Sequence, residues 1–219
     1  MIKIESFIDH TLLKPQAAEM QIRDLCAEAV EYKFKSVCIN PTHIKLAAAI
    51  LKDSAVRVGT VCGFPLGASQ TGIKVAEAES AENSGAQEID MVANIGAIKD
   101  QNFNRVRDDI AAVRQALVGS TVLKVILECG LLTDSEIRTA AMVAADCGVD
   151  FVKTSTGFFG GTTTAQVNLL YETVGNKVSI KAAGGIRDLR TLLAMIEAGA
   201  SRIGTSSAVQ IMKEYQNQV

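Results

Sequence analysis

Phe151-Val152-Lys153-Thr154-Ser155-Thr156-Gly157 is a short β-branched run that ends on a glycine turn. Thr164–Val174 follows with helical spacing, and Val178–Ala183 returns to strand character before Gly184-Gly185. A strand, a glycine-bearing loop, a helix and a second strand form a βαβ unit, whose strands run parallel. The same alternation extends to both ends of the chain. Strands are expected at Phe7–Leu13, Ser36–Asn40, Arg57–Cys62, Glu88–Asn94, Val122–Glu128, Asp150–Ser155, Val178–Ala183 and Arg202–Thr205. Between them, Ala17–Tyr32, Pro41–Leu51, Gln70–Ser84, Phe103–Leu117, Asp134–Cys147, Thr164–Val174 and Leu189–Ala198 carry the helical period. In the first of these, Ile22, Leu25, Cys26, Ala29 and Val30 fall on one face. Gly85, Gly148 and Gly199 stand where a C-terminal glycine closes a helix. Thr133-Asp134-Ser135-Glu136 has the form of a capping box.

Eight strands alternating with helices imply a parallel sheet. At about 27 residues per unit the chain sits near the lower limit of a closed (β/α)₈ TIM barrel. An open doubly wound sheet is the alternative, but no G-x-G-x-x-G follows any strand. No low-complexity tract or linker divides the 219 residues, so one domain spanning 1–219 is expected.

Composition removes several functional classes. Apolar residues are 48%, charged residues 21% and the net charge is −2, which fits a globular protein without a basic field for nucleic acid or membrane. Aromatics are 5% and Trp is absent, so no stacking platform is expected. The longest apolar runs, six residues as in Leu46–Leu51, are far short of the ~20 residues that span a bilayer. Met1–Glu5 lacks the features of a secretory leader. Five cysteines without a CxxC pair suggest free thiols in a reducing, cytoplasmic setting. With only His10 and His43, no metal site is expected.

The chemistry lies in two strand lysines. Lys153 and Lys181 occupy consecutive strands just ahead of glycine-rich loops. If both point into the barrel, the apolar Val152 and Ile180 face the helices. Burial and like charge both disfavour two ammonium groups side by side. A neutral amine is a nucleophile that forms a Schiff base with a carbonyl. One lysine is then the nucleophile and the other its activating charge, and the residues alone do not say which. Asp90, flanked by apolar neighbours, serves as a proton carrier or as an ion-pair partner of a buried lysine. Lys124 also needs a carboxylate, from Asp90 or Glu128. Gly157, Gly184, Gly185, Gly204, Ser206 and Ser207 end the sixth, seventh and eighth strands, where barrels of this kind hold phosphate. Asp9 and Thr11 share one face at the end of the first strand and suit a substrate hydroxyl, while His10 faces the helices. Cys38 reads as a packed thiol.

The ordered motifs resemble the deoxyribose-phosphate aldolase family over nearly the whole chain. The resemblance is carried by Asp9-His10-Thr11-Leu12-Leu13-Lys14-Pro15, Val61-Cys62-Gly63-Phe64-Pro65-Leu66-Gly67, Glu88-Ile89-Asp90-Met91-Val92 and Lys124-Val125-Ile126-Leu127-Glu128. It continues through Phe151–Phe158, Lys181–Arg187 and Gly204-Thr205-Ser206-Ser207. The resemblance implies a class I aldolase, a lyase without metal or other cofactor. Its substrate would be 2-deoxy-D-ribose 5-phosphate, split to D-glyceraldehyde 3-phosphate and acetaldehyde in deoxyribonucleotide catabolism. It implies Lys153 as the Schiff-base lysine, Lys181 as the neighbour that lowers its pKa, and Asp90 as general acid/base acting through water. By the same resemblance Asp9 and Thr11 meet the sugar hydroxyl, and the six glycine and serine positions cradle the phosphate. Some members carry a lysine where Phe158 stands here, so more falls on Arg187. Some end in a tyrosine, whereas Tyr215 is not terminal here. A transaldolase-like enzyme and a non-catalytic sugar-phosphate sensor are the rivals, and a binder would not need the amine pair. A homodimer or larger homo-oligomer is left open.

Overall fold

The computed structural model describes residues 3–118 and 120–218. Met1 and Ile2, part of the stretch considered above for a leader, lie outside the described residues. Eight parallel strands close into a barrel in sequence order. They are β1 (Ile8–Leu12), β2 (Ser36–Ile39), β3 (Arg57–Cys62), β4 (Glu88–Val92), β5 (Val122–Ile126), β6 (Phe151–Lys153), β7 (Ser179–Ala183) and β8 (Arg202–Thr205). The closing pair is β1 with β8, through Asp9 opposite Gly204. The helices around it are α1 (Glu19–Tyr32), α2 (Ile44–Leu51), α3 (Thr71–Asn83), α4 (Ile95–Lys99), α5 (Phe103–Ala116), α6 (Asp134–Asp146), α7 (Thr164–Val174), α8 (Leu189–Glu197) and α9 (Ala208–Gln216).

All eight expected strands form, several of them shorter than expected. β6 keeps three residues of the six. β5 stops at Ile126 because Glu128 takes a left-handed conformation, φ 58° and ψ 58°. The expected capping box forms: Thr133 Oγ1 accepts from Glu136 N at 3.3 Å, and Glu136 Oε2 accepts from Thr133 N at 2.7 Å. α4 is unforeseen, since five residues are too few to show a period; Asn94 Oδ1 caps it by accepting from Ala97 N. Val30 is the one misplaced core residue of α1, lying 46% exposed while Ile22, Leu25, Cys26 and Ala29 are buried. It stands about 90° round the helix from the centre of that stripe.

The apolar core lies between sheet and helices. Ile89, Met91, Leu123, Val125, Val152, Ile180 and Ile203 turn outward into it, each fully or almost fully buried. Each such side chain contributes about 1.5–3 kcal/mol on removal from water. Strand alternation then turns the intervening residues inward. These are Glu88, Asp90, Lys124, Lys153, Lys181 and Arg202, all buried as well. The outward face holds the fold, and the inward face concentrates charge.

Candidate active site

Strand register brings the inward charges together. Asp90 lies opposite Lys124, Lys153 opposite Lys181, and Lys181 opposite Arg202. Asp90 sits at the centre. Its Oδ1 is 2.8 Å from Lys124 Nζ, and its Oδ2 is 2.9 Å from Lys153 Nζ and 2.7 Å from Lys181 Nζ. Asp9 Oδ2 meets Lys181 Nζ at 2.6 Å, and Asp9 Oδ1 meets Arg202 Nη1 at 2.8 Å. Glu88 Oε2 joins Lys124 Nζ at 2.7 Å and Arg202 Nη1 at 2.8 Å.

The groups are not balanced. Among the described residues, Lys124, Lys153, Lys181 and Arg202 share three interior carboxylates, Asp9, Glu88 and Asp90. Arg57, at the barrel's far end, adds a further cation at 3.6 Å from Glu88. Burial would raise Asp90, but Lys124, Lys153 and Lys181 overcome it and hold the carboxyl well below the usual range. Burial likewise opposes the ionised form of Asp9, and Lys181, Lys124 and Arg202 lower it all the same. Burial alone would lower Lys181, yet Asp9 and Asp90 push it above the usual lysine range. Lys181 therefore remains a cation at neutral pH.

The two lysines differ in access. A cavity of about 260 Å³ opens at the C-terminal strand ends, and Lys153 is the cluster member on its wall. Lys181 lies behind, bound to two carboxylates. Among the described residues Lys153 has a single carboxylate contact, on an oxygen that Lys181 shares. Position on the cavity wall and pairing thus distinguish two residues that are equivalent in the sequence.

The same cavity collects most of the glycine-rich positions. Thr11, Gly157, Gly184, Gly185, Gly204 and Ser206 line it, together with Phe158 and Arg187. Gly157, Gly184 and Gly185 have φ of +87°, +97° and +78°, a region glycine enters without steric cost. Gly204 also makes room for the cluster: a Cβ there would lie 3.1 Å from Lys181 Cε, so its bareness leaves space for that side chain. Ser207 is off the wall, and its N–H donates to Thr205 Oγ1 at 2.9 Å. Asp9 is off the wall too. Its carboxylate is fully buried under Lys181 and Arg202. His10 faces the helices as expected, with Nε2 2.7 Å from Glu28 of α1 and its ring edge-on to Phe34. Cys38 is buried in the barrel, and burial pushes its thiol up.

Glu88 and Arg202 are cluster members that the sequence motifs do not single out. Each is two residues from a position with an expected function, Asp90 and Gly204, so alternation alone puts them on the inner face. Glu128, one of the two expected partners for Lys124, accepts from Thr156 instead.

A sequence profile described as DeoC/LacD family aldolase matches residues 5–214. Deoxyribose-phosphate aldolase 1 of Staphylococcus aureus (strain MRSA252) is 55% identical over 213 residues, 97% of this chain and 96% of the relative. A solved structure titled "QR15, an Aldolase" superposes with a TM-score of 0.95 at 41% identity, covering 100% of this chain and 98% of that one. The structure titled "Unique tetrameric structure of deoxyribose phosphate aldolase from Aeropyrum pernix" gives 0.91 at 32% identity, covering 99% and 92%.

Proposed function

The chain belongs to the DeoC/LacD family of aldolases, and from that premise we propose that it splits 2-deoxy-D-ribose 5-phosphate reversibly into D-glyceraldehyde 3-phosphate and acetaldehyde. The observation that carries this reading is the unequal lysine pair. Lys153 faces the cavity, and Lys181 is fixed beside it as a permanent cation. Lys124, Lys153, Lys181 and Arg202 share three carboxylates, and Lys153 is the one of the four that meets the cavity.

In the proposed cycle, neutral Lys153 Nζ adds to C1 of the open-chain sugar. The carbinolamine loses water to give an iminium. Carbon counting puts the scission at C2–C3 and not at C3–C4, because acetaldehyde keeps two carbons. The C3 hydroxyl passes its proton to the water that Asp90 holds, and the C2–C3 electron pair moves toward the iminium nitrogen. The triose phosphate leaves, and an enamine stays on Lys153. Protonation at C2 and hydrolysis then release acetaldehyde and free the amine. Both Asp90 oxygens are engaged by Lys124, Lys153 and Lys181, so we assign it to moving protons through an ordered water beside Lys181. Gly157, Gly184, Gly185, Gly204 and Ser206 cradle the phosphate by backbone N–H approach, Arg187 supplies charge, and Thr11 meets the sugar. Ser207 and Asp9 act from behind, through Thr205 and Lys181.

No described helix is long and apolar enough to cross a membrane. A single catalytic barrel, a cytoplasmic setting and a role in deoxyribonucleotide catabolism belong to the same proposal. For assembly we carry over self-association alone, since the Aeropyrum pernix relative is titled a tetramer. A light-scattering mass of one chain would refute that part. The activity is tested by incubating the protein with 2-deoxyribose 5-phosphate and quantifying both products. Equal yields of acetaldehyde and triose phosphate are expected. Absence of acetaldehyde, or turnover only with a ketose donor, would sink the reading.

A further inference from the structure

Glu128 is a buried carboxylate that the reaction scheme leaves unused. It lies two residues beyond the end of β5, 1% exposed, in a left-handed backbone conformation that few non-glycine residues adopt. It joins none of the ion pairs that hold Asp9, Glu88 and Asp90. Its Oε2 instead accepts twice from one residue, from Thr156 N at 3.1 Å and from the Thr156 hydroxyl at 2.5 Å. Thr156 Oγ1 accepts in turn from Phe158 N at 3.1 Å. That bond closes a turn from Thr156 to Phe158, with Gly157 at its centre.

The segment is anchored on its other side as well. Leu127 N donates to Lys153 O at 3.0 Å, and Cys129 N donates to Thr154 O at 2.8 Å. These bonds fix where Glu128 stands relative to β6. The Gly157 turn packs on the β7 loop so closely that a Cβ on Gly157 would lie 3.6 Å from Gly184 Cα. Gly157 and Gly184 are both on the cavity wall. Thus Glu128 connects to the anion end of the cavity through Thr156, and it makes no contact with the amine of Lys153.

We propose that Glu128 is a positioning residue for substrate phosphate: through Thr156 its carboxylate sets the Gly157 turn against Gly184. This deepens the aldolase reading above and rests on it. A carboxylate suits this role because it only accepts, and hydrogen bonds to an ionised acceptor are roughly twice as strong as neutral ones. Glutamine at this position keeps the shape and one acceptor oxygen but loses the charge.

The test compares steady-state kinetics of the wild type, Glu128→Gln, Thr156→Val and Thr156→Ser on 2-deoxyribose 5-phosphate and on unphosphorylated 2-deoxyribose. Glu128→Gln should raise KM for the phosphorylated sugar on the order of tenfold, the effect of weakening one charge-assisted bond. Its kcat should change by less than about threefold, because bonding at Lys153 is untouched. On the unphosphorylated sugar, kcat/KM should fall by no more than about threefold. Thr156→Val should reproduce this pattern, and Thr156→Ser, which retains the hydroxyl, should not. Equal losses on both sugars, or an unchanged KM for the phosphorylated one, would overturn the proposal. If Glu128→Gln fails to fold, the Val and Ser variants of Thr156 decide by the same criterion. Should the wild type turn over neither sugar, the aldolase reading fails. Calorimetric titration with inorganic phosphate then judges Glu128 separately: weaker binding in the Gln variant supports it, and equal binding refutes it.

Discussion

Two sets of buried ions lie on opposite faces of the barrel wall. Outside it, Lys74 of α3 and Asp109 of α5 pair at 2.6 Å, with side chains almost completely buried. Every group there is matched: Lys74 Nζ also donates to Val92 O at 3.0 Å, and Thr71 Oγ1 donates to Asp109 Oδ1 at 2.8 Å. Inside, four cations share three carboxylates, and Lys153 opens onto a cavity. The outer pair is closed, one for one and without access. Burial of charge therefore does not by itself mark a reactive site. Surplus charge with an opening does.

Replacing the two lysines should separate these cases most sharply. Lys153→Leu is expected to abolish turnover in the two-product assay. Its thermal midpoint should match or exceed that of the wild type, because Lys124, Lys181 and Arg202 then face Asp9, Glu88 and Asp90 three to three. A midpoint several degrees lower would mean the inner cluster is a structural network like the outer one. Lys74→Leu should do the reverse. Leaving Asp109 buried and unpaired should cost about 3–5 kcal/mol in urea melts, while kcat per folded molecule holds. The double variant Lys74→Leu/Asp109→Leu should recover most of that loss.

The inner set is far more legible in the sequence than the outer pair. Lys153, Lys181 and Asp90 stand in short apolar strands, where alternation assigns each a face and parallel order makes them neighbours. Gly184 and Gly185 end a strand at the position where such barrels bind anions. Lys74 and Asp109 lie on two different helices, 35 residues apart, where a charge ordinarily reads as a solvated face. Their meeting depends on how α3 packs against α5, and no local pattern carries that. The ion partners of Asp9 are hidden for a related reason: Lys181 and Arg202, which meet its carboxylate at 2.6 and 2.8 Å, come from the far end of the chain. The order of the two lysines also needs three dimensions, since it rests on the cavity and on Asp9 reaching only one of them.

Charge coupling inside the barrel has consequences with pH. Lys181→Leu removes the standing cation beside Lys153, so activity at neutral pH should fall and recover as pH is raised. A deficit that stays constant with pH would mean that Lys181 acts chiefly in another way. Stability provides a smaller signal. Asp9 and Asp90 titrate lower in the folded state than in the unfolded chain. Their contribution is complete above the unfolded value of about 3.9 and is lost as pH falls from there through the lowered folded values. Urea midpoints should therefore stay level in this respect from pH 7 to about 5 and drop below about 4. A marked loss already between pH 7 and 5, persisting in Lys153→Leu, would contradict ionised carboxylates in the cluster.

The most direct test of the surplus-cation account is covalent capture of the amine. The protein is mixed with acetaldehyde, reduced with borohydride and digested, and the peptides are mapped by mass. The account predicts one ethyl adduct, on Lys153, with Lys124, Lys181 and Lys74 unmodified. Modification of Lys181 in place of Lys153, or no adduct on either, would contradict it.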